Sequence, residues 1–416
     1  MCVEMPRRKI TYRLYPTEKH TQKMEEVSEL HRHLSNAALQ QRIEAYQRKK
    51  VTLTFADQCR DLTALRKEFP EYENLNAQSC QVTLKRVDLA FKHFFRRVKE
   101  GASRAGFPRF KSKNRFKGFG YKSHGDGFKI LSQGKHGAVR LSGIGQIRMR
   151  GKARIWGKPV TAEVIKKGRY WYLSVTVSCK PQRKAGKSAI AVDWGVETYA
   201  TLALLDGSYQ KVENPRFLKK SLKDLKTAQR LVSKKKLGSK NRSRAIQKLR
   251  KLHEKISNQR KDFAHQTSAR LVQKNGLIAT EILQVKNMTA SGGNHKKGLN
   301  REILNTAPRT LFSFLKYKAE EAGIEWKEIP TRKVKPSQTC SQCGMQKKKL
   351  LNERIHECDI CGLKLGRDEN SARVMLNWAL TGNASGRGSS CWGGGMLIPP
   401  ENQETHAIAT SVAWRE

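Results

Sequence analysis

"CSQCGMQKKKLLNERIHECDICGLKLGRDEN", Cys340–Asn370, carries four cysteines as two Cys-x-x-Cys pairs and closes on a run of charged residues. Fourteen residues separate the pairs. That is the spacing of a zinc ribbon, in which two knuckles set four thiolates around one Zn²⁺. Gly344 and Gly362 follow the two pairs, where a knuckle turn needs a glycine-like backbone. With Cys340, Cys343, Cys358 and Cys361 all ligating, no coordination position is left for water, so the zinc is expected to be structural. Any chemistry must then belong to residues beside the ribbon.

Acids stand on both sides of it. Asp368 opens the helical pattern "DENSARVMLNWAL" (Asp368–Leu380) directly after the second knuckle. Far upstream, the buried-looking strand Ala189–Val192 ends in Asp193, Gly195 permits a turn, and "TYATLALL" runs back as a hairpin partner. "GLIATEIL" (Gly276–Leu283) is a short apolar strand interrupted by Glu281. Taken singly, each acid reads as a cap or a surface residue, and Asp368 as a plain helix N-cap. Isolated acids on apolar strands nevertheless cost free energy unless they are paired or ligate cations. On strand, strand and helix, the three fit an RNase H-like fold, where they converge at one end of a sheet. There they hold two Mg²⁺ ions that activate a water and stabilise the leaving oxygen of a phosphodiester.

The bulk composition points to the partner. The 416 residues include 83 Lys and Arg against 36 Asp and Glu, a formal charge of +47. A surplus of that size implies a polyanion, most plausibly nucleic acid. Apolar content is 38%, enough in a chain this long for a sizeable core. The N-terminus lacks the apolar segment of a signal peptide, and no run of about 18 apolar residues offers a membrane span. The remaining five of the nine cysteines (Cys2, Cys59, Cys80, Cys179, Cys391) are scattered, as ordinary thiols are in a reducing compartment. The chain is expected in the cytoplasm, associated with the nucleoid.

The rest of the chain divides by pattern. Lys9–Thr17 alternates Ile10, Tyr12 and Leu14 as a strand, and residues 18–104 read as a helical block. Within it Thr54 is a candidate cap, and the stripe Val82, Val87, Leu89, Phe91, Phe94, Phe95 reads as core. Residues 105–182 carry strand patterns that, with 1–17, predict a β-barrel-like domain. Its opening stretch, Gly106–Ile130, interleaves Phe and Tyr with Lys and Arg, a composition that suits nucleic acid and equally a basic loop and hairpin. Residues 187–335 and 366–382 make up the acid-bearing domain, with the ribbon (336–365) inserted before its last helix. Arg216–His265 within it holds 18 Lys/Arg against 3 acids and reads as a basic helical hairpin. "NREILNTAPRTLFSFLKYKAEEAG" reads as one amphipathic helix ending near Gly323. The Gly/Ser/Pro-rich tail 383–416 is expected to be disordered. The fold class is α+β and multi-domain.

"AVDWGVE", "IATEILQVKNM", "KPSQTCSQCG" and "CGLKLGRDENSA" resemble the RuvC-type nuclease motifs of the TnpB family, transposon-encoded RNA-guided DNA endonucleases similar to compact type V CRISPR effectors. The likeness is strong over about Lys187–Leu380 and looser over the preceding strands. It implies a wedge-like barrel with an inserted helical bundle, then a RuvC nuclease domain with an inserted zinc ribbon. It also implies that Asp193, Glu281 and Asp368 are the catalytic, Mg²⁺-binding acids and that the four cysteines hold Zn²⁺. The further partners are a guide RNA and a double-stranded target DNA, with a short target-adjacent motif read by the N-terminal half; a monomer is favoured. Two rivals are a nuclease-inactive RNA-guided repressor and a strand-transfer transposase. Retention of all three acids argues against the first. The ribbon between the second and third acids and the large basic surface argue against the second.

Overall fold

The computed structural model describes residues 7–133, 136–150, 157–179, 183–290, 293–350 and 353–382. The tail 383–416, with Cys391, and Cys2 at the start lie outside the described residues. Two compact units are distinguished: Met1–Gln182 with Lys235–Arg250, and Arg183–Lys234 with Lys251–Glu416. The architecture is mixed α+β.

In the first unit the alternating Lys9–Thr17 stretch forms β1 (Arg7–Tyr15), followed by α1 (Glu18–Lys49), α2 (Phe55–Glu68), α3 (Pro70–Glu73) and α4 (Ala77–Lys99). Thr17 caps α1, accepting from His20 N at 3.3 Å, and Thr54 with Asp57 forms a capping box on α2. The strands β2 (Gly118–Tyr121), β3 (Phe128–Gln133), β4 (His136–Leu141), β5 (Gly145–Met149), β6 (Gly157–Lys167) and β7 (Tyr170–Cys179) complete the unit's sheet. Its order is β2-β6-β7-β1-β5-β4-β3, antiparallel at every ladder, with β1 in the centre. The edge strands β2 and β3 are consecutive in the chain, so the sheet is nearly closed but remains open along that seam.

Helices and sheet bury their apolar residues together. Met24 and Leu34 of α1 and Cys80 and Leu84 of α4 share one core with Leu14, Phe119, Val164 and Leu173. Two buried polar sets fix the register of that packing. Arg42 donates through Nε to Gln58 Oε1 (2.8 Å) and through its terminal nitrogens to Asp88 Oδ1 (3.2 Å). His31, fully buried, stacks on Phe119 at 5.4 Å and bonds Ser79 Oγ (3.1 Å) and Thr83 Oγ1 (2.9 Å). Ser79 gives its own proton to Gly120 O (2.7 Å), so its oxygen is left to accept from the imidazole. The stripe on α4 departs from its sequence reading at one end: Val87 is buried, but Phe95 is 58% exposed. The last turns of α4 run past the sheet that covers its first half.

The second unit is built on β8 (Ser188–Trp194), β9 (Thr198–Leu204) and β10 (Tyr209–Glu213), an antiparallel meander. The helices α5 (Phe217–Ser233) and α6 (Lys240–Lys274) follow, and then β11 (Asn275–Glu281), parallel to β8. Next come α7 (Val285–Thr289), α8 (Asn294–Thr306), α9 (Pro308–Ala322), β12 (Glu325–Ile329), α10 (Thr331–Val334), β13 (Ile355–Glu357), β14 (Lys364–Gly366) and α11 (Arg367–Thr381). The sheet order is β10-β9-β8-β11-β12. The stretch expected as one helix up to Gly323 is two. Pro308 offers no N–H and disfavours the helical conformation in the residue before it, and Ala307 takes φ +51° between α8 and α9.

His31 makes the first unit sensitive to acid. Burial, with a smaller contribution from Arg86, holds its pKa down to about 3 against an ordinary 6.5. The unfolded chain takes up this proton near pH 6.5 and the folded chain does not. The stabilisation is therefore complete above 6.5 and is lost progressively as pH falls toward 3. Denaturant midpoints measured from pH 7.5 to 4.5 should fall in the wild type, and His31→Gln should remove part of that slope; equal slopes would refute the assignment.

Candidate active site

Strand periodicity decides which face carries the acids. On β8, Ile190 and Val192 point into one core with Ile278, Leu311 and Leu315, while Ala189 and Ala191 point into the other with Ala279 and α11's Val374, Met375 and Leu376. Successive side chains alternate faces, so Asp193 shares the α11 face with Ala189 and Ala191, and Glu281 shares it with Ala279. Alanines at those positions let α11 lie close on the sheet. Asp368 stands in the first turn of that helix. Residues separated by 175 positions thus meet on one side of one sheet.

Their electrostatics record the meeting. Burial first, and then the charges of Glu281 and Asp368, push the Asp193 carboxyl well above the usual carboxylate range, with Arg367 acting in the opposite sense. Burial raises Glu281 to about 7. Like charges gathered in a poorly solvated site disfavour joint ionisation. Among the described residues, the cysteines are the cluster that brings ligand atoms within 4.8 Å of one another; the three acids are more widely set.

The cysteines close that tighter cluster. Cys340 Sγ lies 3.5 Å from Cys361 Sγ, and Cys343 Sγ 3.5 Å from Cys358 Sγ. These separations are far beyond a disulfide bond, and all four are free thiols. The two knuckles repeat one backbone pattern. Gly344 N donates to Cys340 O (3.0 Å) and Gly362 N to Cys358 O (2.9 Å), with φ +82° and +71° at the glycines. Returning bonds run from Cys340 N to Met345 O (2.8 Å) and from Cys358 N to Leu363 O (3.0 Å). Burial lifts the Cys340 thiol to about 12, while backbone hydrogen bonds from Cys361 and Ile360 bring Cys358 down to about 6.

A side chain that sequence reading used only as a landmark joins the two sites. Asn370, fully buried on α11, donates through Nδ2 to Thr339 O (2.7 Å) and accepts at Oδ1 from Ser341 N (3.0 Å). These bonds straddle Cys340. About two turns further along, Asn377 Nδ2 donates to Ser341 O (2.9 Å). From the N-terminal end of the helix, Arg367 Nη1 donates to Leu350 O (3.0 Å) and its backbone N to Arg354 O (2.8 Å). The helix bearing Asp368 is thus tied to the first knuckle on one side and to the segment before β13 on the other. The available signal was a short amide inside an otherwise apolar helix face. The neighbouring Glu369 points elsewhere: it pairs with Lys211 at 2.8 Å.

Three family models match the chain. One, OrfB_IS605, described as "Probable transposase", covers residues 172–292; a second, "Cas12f1-like, TNB domain", covers 309–375; and a third, "Helix-turn-helix domain", covers 5–50. The last span is here one strand and one continuous helix. A Streptomyces pristinaespiralis protein named "Putative RNA-guided DNA endonuclease" is 28% identical over 397 residues, 93% of this chain and 92% of its own length. Escherichia coli K12 InsQ, which bears the same description, is 28% identical over 313 residues, 72% of this chain and 74% of its own. The solved Cas12f1–sgRNA–target DNA complex matches the fold with a TM-score of 0.55 at 14% identity, covering 89% of this chain and 98% of that one. The family models together reach both units, and the two relatives are matched along most of their own length: over most of its length the chain is similar to TnpB-type proteins.

Proposed function

We propose that this protein is an RNA-guided DNA endonuclease whose RuvC-like centre is Asp193, Glu281 and Asp368. The observation that carries the reading is the gathering of those three carboxylates on the α11 face of one sheet. The strand order, an antiparallel meander extended by two parallel strands, supports an RNase H-like domain. The relatives' names supply the class of substrate.

Hard divalent cations take oxygen ligands, and a site that resists its own ionisation fits them. When bound, a pair of Mg²⁺ ions would polarise the scissile phosphate, activate a water and neutralise the leaving oxygen. The chain's own part is placement. Asp193 comes from the central strand, Glu281 from the end of its parallel neighbour, and Asp368 from a helix braced at both flanks. Apolar packing of α11 behind them excludes water from the rear of the site. Sequence choice is delegated to base pairing with the guide, and the protein contributes cationic surface such as that of the Lys/Arg-rich helices α5 and α6. The N-terminal half would read the target-adjacent motif.

For the cysteines we assign a structural Zn²⁺. A tetrahedral ion at about 2.3 Å from each sulfur needs sulfurs roughly 3.8 Å apart, and the separations here fit. Its part in the reaction is indirect: through Asn370 the knuckle holds the helix that presents Asp368.

Purified protein should contain one zinc per chain by atomic emission. Cys340→Ser should lose it and melt at lower temperature; a zinc-free, fully stable wild type would refute the ribbon. In a guided plasmid-cleavage assay with Mg²⁺, Asp193→Ala, Glu281→Ala and Asp368→Ala should each lose more activity than the roughly 10- to 100-fold that removing an outer partner of a metal ligand costs. RNA-guided binding should survive in all three, and Glu369→Gln should cut like wild type. Cleavage retained by Asp368→Ala but lost by Glu369→Gln would place the third acid wrongly. The description "Probable transposase" favours a second reading, strand transfer; joined rather than hydrolysed ends in the same assay would establish it.

A further inference from the structure

Phe91 packs against the core of the first unit, and the α4 aromatics beyond it, half-buried Phe94 and exposed Phe95, leave that core. Phe94 and Phe95 have ring centres 5.1 Å apart. Phe107 meets Phe94 edge-on at 5.2 Å and Phe91 at 5.6 Å. Arg97 holds the intervening loop in place, donating to Gly106 O at 3.1 Å and to Ala105 O. The loop therefore folds back to present these rings together. Phe95 is 58% exposed, Phe107 48% and Phe110 50%.

The setting defines what such a surface would take. Residues 89–117 contain ten Lys/Arg and a single acid, Glu100, which is paired with Arg96 at 3.7 Å. Lys92, Arg96, Arg104 and Arg109 of the same stretch are exposed, Lys92 also pairing with Asp88 at 3.4 Å. Ten cations to one acid call for a strongly anionic partner, which a nucleic acid is and an ordinary protein surface is not. Cations for phosphates and aromatic faces for bases are what a single-stranded nucleic acid needs. Duplex DNA keeps its bases stacked inside and offers no face to a phenyl ring. RNA offers loops and ends whose bases splay outward onto aromatic side chains.

We propose that Phe94, Phe95 and Phe107, with Lys92, Arg96, Arg104 and Arg109, form a stacking platform for unpaired nucleotides of an RNA. The proposal rests on the reading above only in that the chain carries RNA; its test involves no cleavage. The full chain is mixed, below saturation, with a twelve-nucleotide oligouridine bearing 4-thiouridine, irradiated, and mapped for adducts by mass spectrometry. Adducts are expected within Phe91–Phe110. Phe95→Ala, at an exposed position where the fold should survive (checked by thermal melting), should lower that adduct at least about fivefold, while Phe95→Trp keeps it. Adducts elsewhere on the basic surface should not change. Arg96→Gln should reduce the salt dependence of the same adduct by about one phosphate contact. Adducts confined to other segments, or an unchanged yield in Phe95→Ala, would overturn the proposal. So would equal competition from unlabelled oligothymidine or duplex DNA.

Discussion

Three carboxylates held on one face of an apolar sheet repel one another, and the second unit is arranged so that they stay there. Two are fixed by the backbone. Ala191 pairs with Ala279 and Val192 with Thr280 in the parallel ladder between β8 and β11, so Asp193 and Glu281 follow as neighbours at the end of that ladder. The third depends on a helix, and a helix slides more easily than a strand in register. The additional ties on α11 follow from that difference. Asn370 and Asn377 bond the first knuckle, Arg367 bonds the segment before β13, and Arg373 Nη1 donates to Leu204 O at 2.9 Å. Sites that do chemistry commonly hold groups in arrangements that the rest of the fold must offset.

The cysteine knuckles thereby acquire a role in positioning α11. A small unit with little core of its own gains order from a metal more cheaply than from packing. Exposed Leu350, Ile355 and Ile360 show how little apolar surface this unit buries. What it offers the helix is a rigid row of backbone donors and acceptors around Cys340.

Much of this arrangement was readable in advance where chemistry and spacing coincide. Cys-x-x-Cys pairs admit few other meanings, and an acid ending an apolar strand contradicts its surroundings enough to be noticed. The face shared by Asp193 and Glu281 also follows from period-two alternation. Other features were not legible because they depend on partners distant in sequence. Asn370 reads as a helix residue until Thr339 and Ser341 are seen beside it. Glu369 and Asp368 are adjacent acids in sequence, and what tells them apart is distant: Glu369 pairs with Lys211, while Asp368 acts on Asp193. Phe95 continues the pattern of a buried stripe, but α4 outruns the sheet that would cover it. The break at Ala307 was marked by Pro308, yet the apolar periodicity ran on through it and hid the signal.

The central claim is that the acids are mutually destabilising in the metal-free chain and are held together for cations. Thermal unfolding of wild type and Asp193→Asn, each with and without Mn²⁺, tests it most directly. The account expects Asp193→Asn to melt higher than wild type without metal, because a carboxyl whose ionisation the fold suppresses is replaced by a group with nothing to ionise. It expects Mn²⁺ to raise the melting temperature of wild type and leave that of the variant nearly unchanged. A variant less stable than wild type without metal, or stabilised by Mn²⁺ to the same extent, would contradict the account.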